Sequence, residues 1–213
     1  PEYRTGFDRG LWIWKDYDPS CVYLMSADVA RGDGKDYSAF HIINLNTMEI
    51  VAEYQGKMAP DHFAPFLASN GSQYGDCMIV VENNNIGYTV LEKIKELEYK
   101  NVYHSVKSTH EYVEQYLAES RSNCVPGFTT SGKTRPMILA KLEECIRNDI
   151  IKIRSSRLLN ELKTFVWNNN KPEAMRGYND DLVMALAIAC WVRDTALTVN
   201  QRDIEYRKAL MSS

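Results

Sequence analysis

The stretch Cys21-Val22-Tyr23-Leu24-Met25-Ser26-Ala27-Asp28 decides the fold: it is a short, β-prone apolar run that closes on a carboxylate. Cys77-Met78-Ile79-Val80-Val81-Glu82 is built the same way. Both runs are bounded by turn residues and read as buried strands. A third acidic stretch, Asp180-Asp181, opens an apolar helix whose strongest part is Leu182 to Val192. An ionised carboxylate buried without a partner is costly or takes up a proton, so acids at strand ends normally pair with a cation or coordinate one. No single Lys or Arg neighbours all three stretches. If the fold gathers them, an all-oxygen ligand set suits Mg2+ or Mn2+, the ions of phosphodiester chemistry.

Working outward from the first strand, Arg31-Gly32-Asp33-Gly34-Lys35-Asp36 forms a tight loop and Tyr37 to Leu45 alternates as a second strand. Asn46-Thr47 turns the chain into a third strand, Glu49 to Tyr54, and the short connections require an antiparallel meander. Pro60 starts a helix with His62, Phe63, Phe66 and Leu67 at helical spacing. After the fourth strand, Asn83-Asn84-Asn85 is a turn and cap cluster, and Ile86, Val90, Leu91, Ile94 and Leu97 mark one apolar helix face. Asn101 to Val106 reads as a fifth strand, parallel to the fourth by the β-α-β rule. Thr109 to Ser120 is expected to be helical and Arg121 to Arg135 a loop or irregular hairpin. Pro136 begins a helix that buries Ile138, Leu139, Leu142, Cys145 and Ile146; Ile150 to Ile153 is a short strand or link. Ser155 or Ser156 caps a further helix through Phe165, and Asn179 or Asp180 caps the last, Asp181 to Thr195. No repeat or low-complexity linker interrupts this order, so residues 1–213 are expected to form one α/β domain with a mixed sheet. An aromatic lead (1–20, with Trp12 and Trp14) packs on its core or edge, and a charged tail (196–213) is weakly organised.

At 213 residues the chain is long enough to bury a substantial core. The Leu182 to Val192 run is too short to span a bilayer, and with no signal or lipidation motif the expected setting is soluble, reducing and cytoplasmic. The five cysteines, odd in number and widely spaced in apolar runs, suit core packing better than disulfides or zinc. A first residue of Pro points to a fragment of something longer. The net charge of −3 is unevenly spread. Arg121 to Lys163 carries nine Lys/Arg against four acids, a local +5, which leaves 16 basic and 24 acidic residues elsewhere. A basic segment beside an acidic site is what attracting and cutting a polyanion requires, although a solvated helical face gives the same charge pattern.

Gly127-Phe128-Thr129-Thr130-Ser131-Gly132-Lys133-Thr134 matches the phosphate-loop pattern G-x-x-x-x-G-K-[ST] letter for letter. Such a loop needs a buried strand before it and a helix starting at the Lys. Residues 119–126 lack a hydrophobic strand, and Pro136 suggests that the helix begins there. Lys133 and Arg135 touching nucleic-acid phosphate, or a plain exposed turn, are the better readings.

Taken singly, Asp28 has Arg31 as an ion-pair partner, Glu82 suits the cap of the helix at Ile86, and Asp180 suits an N-cap. Taken together, a first-strand Asp, a fourth-strand Glu and a C-terminal-helix Asp form the acid set of the ribonuclease H-like fold. The pieces Ser26-Ala27-Asp28-Val29-Ala30-Arg31-Gly32 with Asp36-Tyr37, Val81-Glu82-Asn83-Asn84-Asn85-Ile86-Gly87, Phe128-Thr129-Thr130 with Lys133-Thr134-Arg135-Pro136, and Tyr178-Asn179-Asp180-Asp181-Leu182-Val183-Met184-Ala185 cover most of the chain from Val22 to Val192. In that order they resemble the C-terminal nuclease domain of the large terminase subunit, the DNA-packaging motor of tailed bacteriophages, particularly of the T-even type.

The resemblance implies a Mg2+- or Mn2+-dependent endonuclease that cuts double-stranded concatemeric viral DNA with little sequence preference. Its metal triad would be Asp28, Glu82 and Asp181, holding two ions bridged by Asp28, with Asp36 and Asp180 as further acids. Lys133, Arg135, Lys107, Arg31 and Lys35 would meet the DNA backbone. An N-terminal packaging ATPase, absent from this chain, a portal and a small terminase subunit would be its partners; docking of that ATPase is the alternative to core or edge packing for the Trp12/Trp14 lead. The competing readings are a non-catalytic DNA clamp or motor-docking module, a nucleotide hydrolase at Gly127 to Thr134, and a Holliday-junction resolvase of the same fold.

Overall fold

The computed structural model of the chain describes residues 2–212 apart from 7, 85, 107–111, 114–117, 119–122 and 169–170, with the side chains of 195 and 198–212 also left undescribed. Its centre is a six-stranded sheet in the order β1-β2-β5-β4-β3-β6. The strands are β1 (Arg4–Thr5), β2 (Leu11–Ile13), β3 (Tyr23–Asp28), β4 (Ser38–Asn44), β5 (Glu49–Gly56) and β6 (Met78–Val81). β3, β4 and β5 form the expected antiparallel meander, and β6 pairs with β3 in parallel. The lead joins the sheet at its far edge, where β2 pairs with β5 and the Trp12 ring lies 3.7 Å beneath the Arg157 guanidinium.

The period of two along β3 and β6 sorts their side chains onto two faces. Met25, Ala27, Ile79 and Val81 pack toward α1 (Pro60–Gln73) and α2 (Ile86–Glu96). Leu24, Met78 and Val80 pack on the opposite face, beneath α3 (Thr134–Arg147), α4 (Ser156–Thr164) and α5 (Asp181–Ser212). By the same parity Asp28 and Glu82 belong to the α5 face. Leu182 and Val183, in the first turn of α5, are completely buried. Each contributes about 1.5–3 kcal/mol of apolar burial, which seats that turn on the sheet.

Several elements differ from expectation. The fifth strand begins as a brief parallel contact, with the Ile79 N–H donating to the Asn101 carbonyl and the Tyr103 N–H to the Ile79 carbonyl. It then departs as β7 (His104–Val106) to pair antiparallel with β8 (Cys124–Pro126). The helix expected over 109–120 falls mostly outside the described residues. Helix α3 starts at Thr134 rather than Pro136, because Ser131 Oγ accepts the Thr134 N–H and closes the first turn. The last helix continues to Ser212, since no Gly or Pro interrupts the chain after Asp181. β9 (Phe165–Asn168) and β10 (Lys171–Ala174) form a hairpin that was not anticipated. Leu97 and Ile146, expected in buried faces, are exposed. The five cysteines are free, with Cys77, Cys145 and Cys190 buried. No helix among the described residues is long and apolar enough to cross a membrane.

Candidate metal centre

Asp28 is the last residue of β3 and Glu82 follows the last residue of β6, one step beyond the paired Ala27 and Val81. The Glu82 N–H donates to the Ala27 carbonyl at 2.9 Å, which holds the two acids side by side. Gly87 lets α2 start hard against this strand end, because a Cβ there would lie 1.7 Å from the Glu82 carbonyl oxygen. Asn84 Nδ2 donates to Glu82 Oε1 at 3.1 Å and to the Thr130 carbonyl at 2.8 Å, while Asn83 Nδ2 donates to the Pro126 carbonyl at 2.8 Å. The asparagines therefore tie the Glu82 turn to the 126–130 segment.

Asp181 sits in the first turn of α5 and is buried. Its Oδ2 accepts the Tyr37 N–H and one from Asn179 Nδ2, both at 3.1 Å. Asn179 also donates to the Lys35 carbonyl, so the Arg31–Asp36 loop is fastened beside Asp181. Asp180 precedes the helix and its carbonyl accepts the Met184 N–H, as an N-cap residue's does. Its side chain does not cap. Asp180 Oδ2 accepts from Arg135 Nη2 at 2.6 Å, and Arg135 also donates to the Pro172 carbonyl of β10.

The capping carboxylate is Glu161 of α4, a residue that no sequence feature singles out. Glu161 Oε2 accepts the N–H groups of Leu182 at 2.9 Å and Val183 at 3.2 Å, and its Oε1 accepts from Gln55 Nε2 at 2.6 Å. Burial is the first cause that pushes its carboxyl up to about 7, with the charge of Asp181 adding to it against the two helix N–H groups.

Burial, then the charge and hydrogen bond of Glu82, then the charges of Asp181 and Asp180 raise the Asp28 carboxyl well above the usual carboxylate range. Asp181 is pushed up to about 6, first by burial and further by Asp180 and Asp36, against the hydrogen bonds from Asn179 and Tyr37. Among the described residues no Lys, Arg or His makes an ion pair with Asp28, Glu82 or Asp181. Nor do three His, Cys, Asp or Glu side chains, as placed, converge closely enough to hold one ion. One cause is visible in the bonds: one Asp181 oxygen is occupied by the Tyr37 N–H and by Asn179, and the acids repel one another, Glu82 and Asp181 both raising Asp28. The donor chemistry nevertheless fits a hard divalent ion, because the acids are all oxygen donors whose mutual repulsion lacks a protein cation to relieve it.

Of the residues expected to meet DNA, Lys133 and Lys35 are exposed, and Arg31 is exposed with its guanidinium 3.7 Å from Asp33. Arg135 is half-buried in its contacts with Asp180 and Pro172, and Lys107 lies outside the described residues. Helix α3 does start beside Lys133, which corrects the expected helix start at Pro136, whereas the strand before Gly127, β8, is a half-buried Cys-Val-Pro and not the buried hydrophobic strand a phosphate loop needs. The loop is still closed to phosphate. The Ser131 N–H donates to Thr134 Oγ1, the Lys133 and Thr134 N–H groups donate to Ser131 Oγ, and the Thr134 hydroxyl donates to the Thr129 carbonyl. Gly127 has φ +79°, and a Cβ there would lie 2.5 Å from the Val81 carbonyl oxygen, so this glycine serves strand packing.

No family model matches the chain. The large terminase nuclease from thermophilic phage G20c with bound magnesium superposes with a TM-score of 0.67 at 18% identity, covering 88% of both chains. The Thermus phage P74-26 large terminase nuclease domain gives 0.65 at 19% identity over 87% of this chain and 86% of that one. The fold is that of the large-terminase nuclease domains. Its mixed sheet flanked by helices is the ribonuclease H-like arrangement of these terminase nucleases. A curated terminase large subunit of Thermus virus P23-45 is 25% identical over 184 residues, 83% of this chain and 33% of that protein, so the chain spans about a third of its curated relative.

Proposed function

We propose that this chain is the nuclease domain of a phage large terminase subunit, a divalent-metal-dependent endonuclease that cuts double-stranded DNA during genome packaging. The observation that carries the reading is the unrelieved acid group of Asp28, Glu82 and Asp181 at adjacent strand and helix ends of a terminase-nuclease fold. The similar G20c nucleases are described with magnesium, cobalt or zinc bound, in keeping with a divalent-ion site. Asp28, Glu82 and Asp181 would hold the ions, Mg2+ or Mn2+ and two in number, with Asp180 and Asp36 adding negative charge at the margin. When bound, such ions lower the pKa of water and stabilise a leaving oxygen.

The chain's own residues supply the rest. Burial and the neighbouring charge of Glu82 raise Asp28, so its carboxyl favours its proton until a cation replaces it. The Tyr37 N–H and Asn179 fix one oxygen of Asp181 and leave the other for a ligand. Exposed Lys133, Lys35 and Arg31 are placed to meet phosphates without reading bases, so cleavage would show little sequence preference and would weaken with salt. The setting we infer is the host cytoplasm, beside the ATPase, portal and small terminase subunit of a packaging complex, and the four motifs support the T-even branch.

Plasmid nicking tests the reading. The parent protein should nick in Mg2+ and stop in EDTA. Asp181→Asn should keep its fold and lose at least about 100-fold in rate, about 2.7 kcal/mol of transition-state stabilisation. DNA binding that survives EDTA with no cutting under any divalent ion would favour the clamp instead.

A further inference from the structure

Helix α5 presents its N-terminal pole to the acid group, and a helix N-terminus attracts the nearest carboxylate. Asp180, at the cap position, and Asp181, in the first turn, are the carboxylates nearest to it in the chain. The bonds show a different division. The Leu182 and Val183 N–H groups both go to Glu161 Oε2, and Glu161 is aimed by Gln55 of β5, whose Nε2 donates to Oε1 at 2.6 Å. His41 of β4 contacts the Leu182 carbonyl through Nε2 at 2.9 Å, so the same residue is gripped at both backbone groups. Glu161 and His41 are both buried, and both arise from elements outside the acid group.

We infer that Glu161 is a positioning residue for the metal centre: by taking the N–H groups of the α5 first turn it leaves the Asp181 carboxylate free for a divalent ion and fixes its direction. Without Glu161, the orphan Leu182 and Val183 N–H groups would draw in the nearest carboxylate, and Asp181 would turn from the site toward its own helix. Groups that hold a metal ligand from behind typically change metal affinity or activity by about 10–100-fold when removed. The inference rests on the metal reading of Asp181.

Its test measures Mn2+ binding by titration calorimetry on the parent, Glu161→Ala, Glu161→Gln and Gln55→Ala, with nicking rates alongside. Glu161→Ala should bind Mn2+ about 10–100-fold more weakly and lose nicking rate with little change in the KM for DNA. Glu161→Gln should recover most of the loss, because its amide oxygen still accepts both N–H groups while the Gln55 amide rotates to present its oxygen. Gln55→Ala, at a half-buried position, should show a smaller loss of the same kind and stands in should Glu161→Ala fail to fold. Parent-like Mn2+ affinity in Glu161→Ala, or in Gln55→Ala where Glu161→Ala is unfolded, would overturn this inference alone. A parent protein that binds no Mn2+ would overturn the metal reading and the inference together.

Discussion

Two groups of carboxylates, one on β5 and one where β3, β6 and α5 meet, are treated in opposite ways. On β5, Glu49 accepts from Lys15 and Arg154, and Glu53 Oε1 accepts from Ser155 Oγ at 2.6 Å and from Arg157 at 2.9–3.0 Å. Burial works to raise the Glu49 carboxyl, but the hydrogen bonds and charges of Lys15 and Arg154 outweigh it and hold the group below its ordinary value. At the ends of β3, β6 and α5 the balance is reversed. Asp28 and Asp181 are raised, chiefly by burial, and no protein cation among the described residues answers them. An acid with its own cation is part of the scaffold, whereas acids gathered without one are arranged for a cation from outside.

The comparison breaks most visibly on the scaffold side. Arg157→Met removes the partner of completely buried Glu53 and should cost about 3–5 kcal/mol of stability, read by urea unfolding in EDTA. A loss below about 1 kcal/mol would show that Glu53 does not depend on its cation and would erase the contrast.

The next effect is the response to metal and pH. In the metal-free protein Asp181, raised from 3.8 to about 6, and Glu161, raised from 4.5 to about 7, contribute stability that is complete below their unfolded values. It is lost as pH rises through their folded values. His41, lowered from 6.5 by burial, acts in the opposite sense below that pH. A bound ion pairs the acids and competes with their protons, so Mg2+ at a hundred times its Kd should add about 2.7 kcal/mol near pH 7.5 and much less at pH 5. Thermal unfolding with and without Mg2+ at the two pH values reads this, and Asp28→Asn should remove most of the shift. Equal shifts at both pH values would place the ion away from these acids.

Much of this was legible because strand parity is a local property. Asp28 and Glu82 stood out as charges closing two apolar strands, and the alternation that puts Leu24, Ser26 and Asp28 on one face of β3, and Met78, Val80 and Glu82 on one face of β6, sets the two acids together once β3 and β6 pair. Asp181 followed from the cap and the apolar run behind it. Glu161 was not legible: in Ser156–Thr164 it reads as a solvent-side Glu, and only the docking of α4 against α5 turns it inward. Arg135 was expected to face DNA for its charge alone, and it turned to Asp180 and Pro172 because the β9–β10 hairpin folds beside it. That hairpin had a faint signal, the β-prone Phe165-Val166-Trp167 followed by three Asn, which the helical reading through Phe165 overran.

The central claim is that Asp28, Glu82 and Asp181 together hold divalent metal. Soaking crystals of the protein in Mn2+ and locating the anomalous scattering peaks tests it most directly. The account predicts peaks within coordination distance of Asp28 and Glu82, with Asp181 turned to meet them. Peaks confined to other surfaces, with none near Asp28, Glu82 or Asp181 at neutral pH and saturating Mn2+, would contradict it.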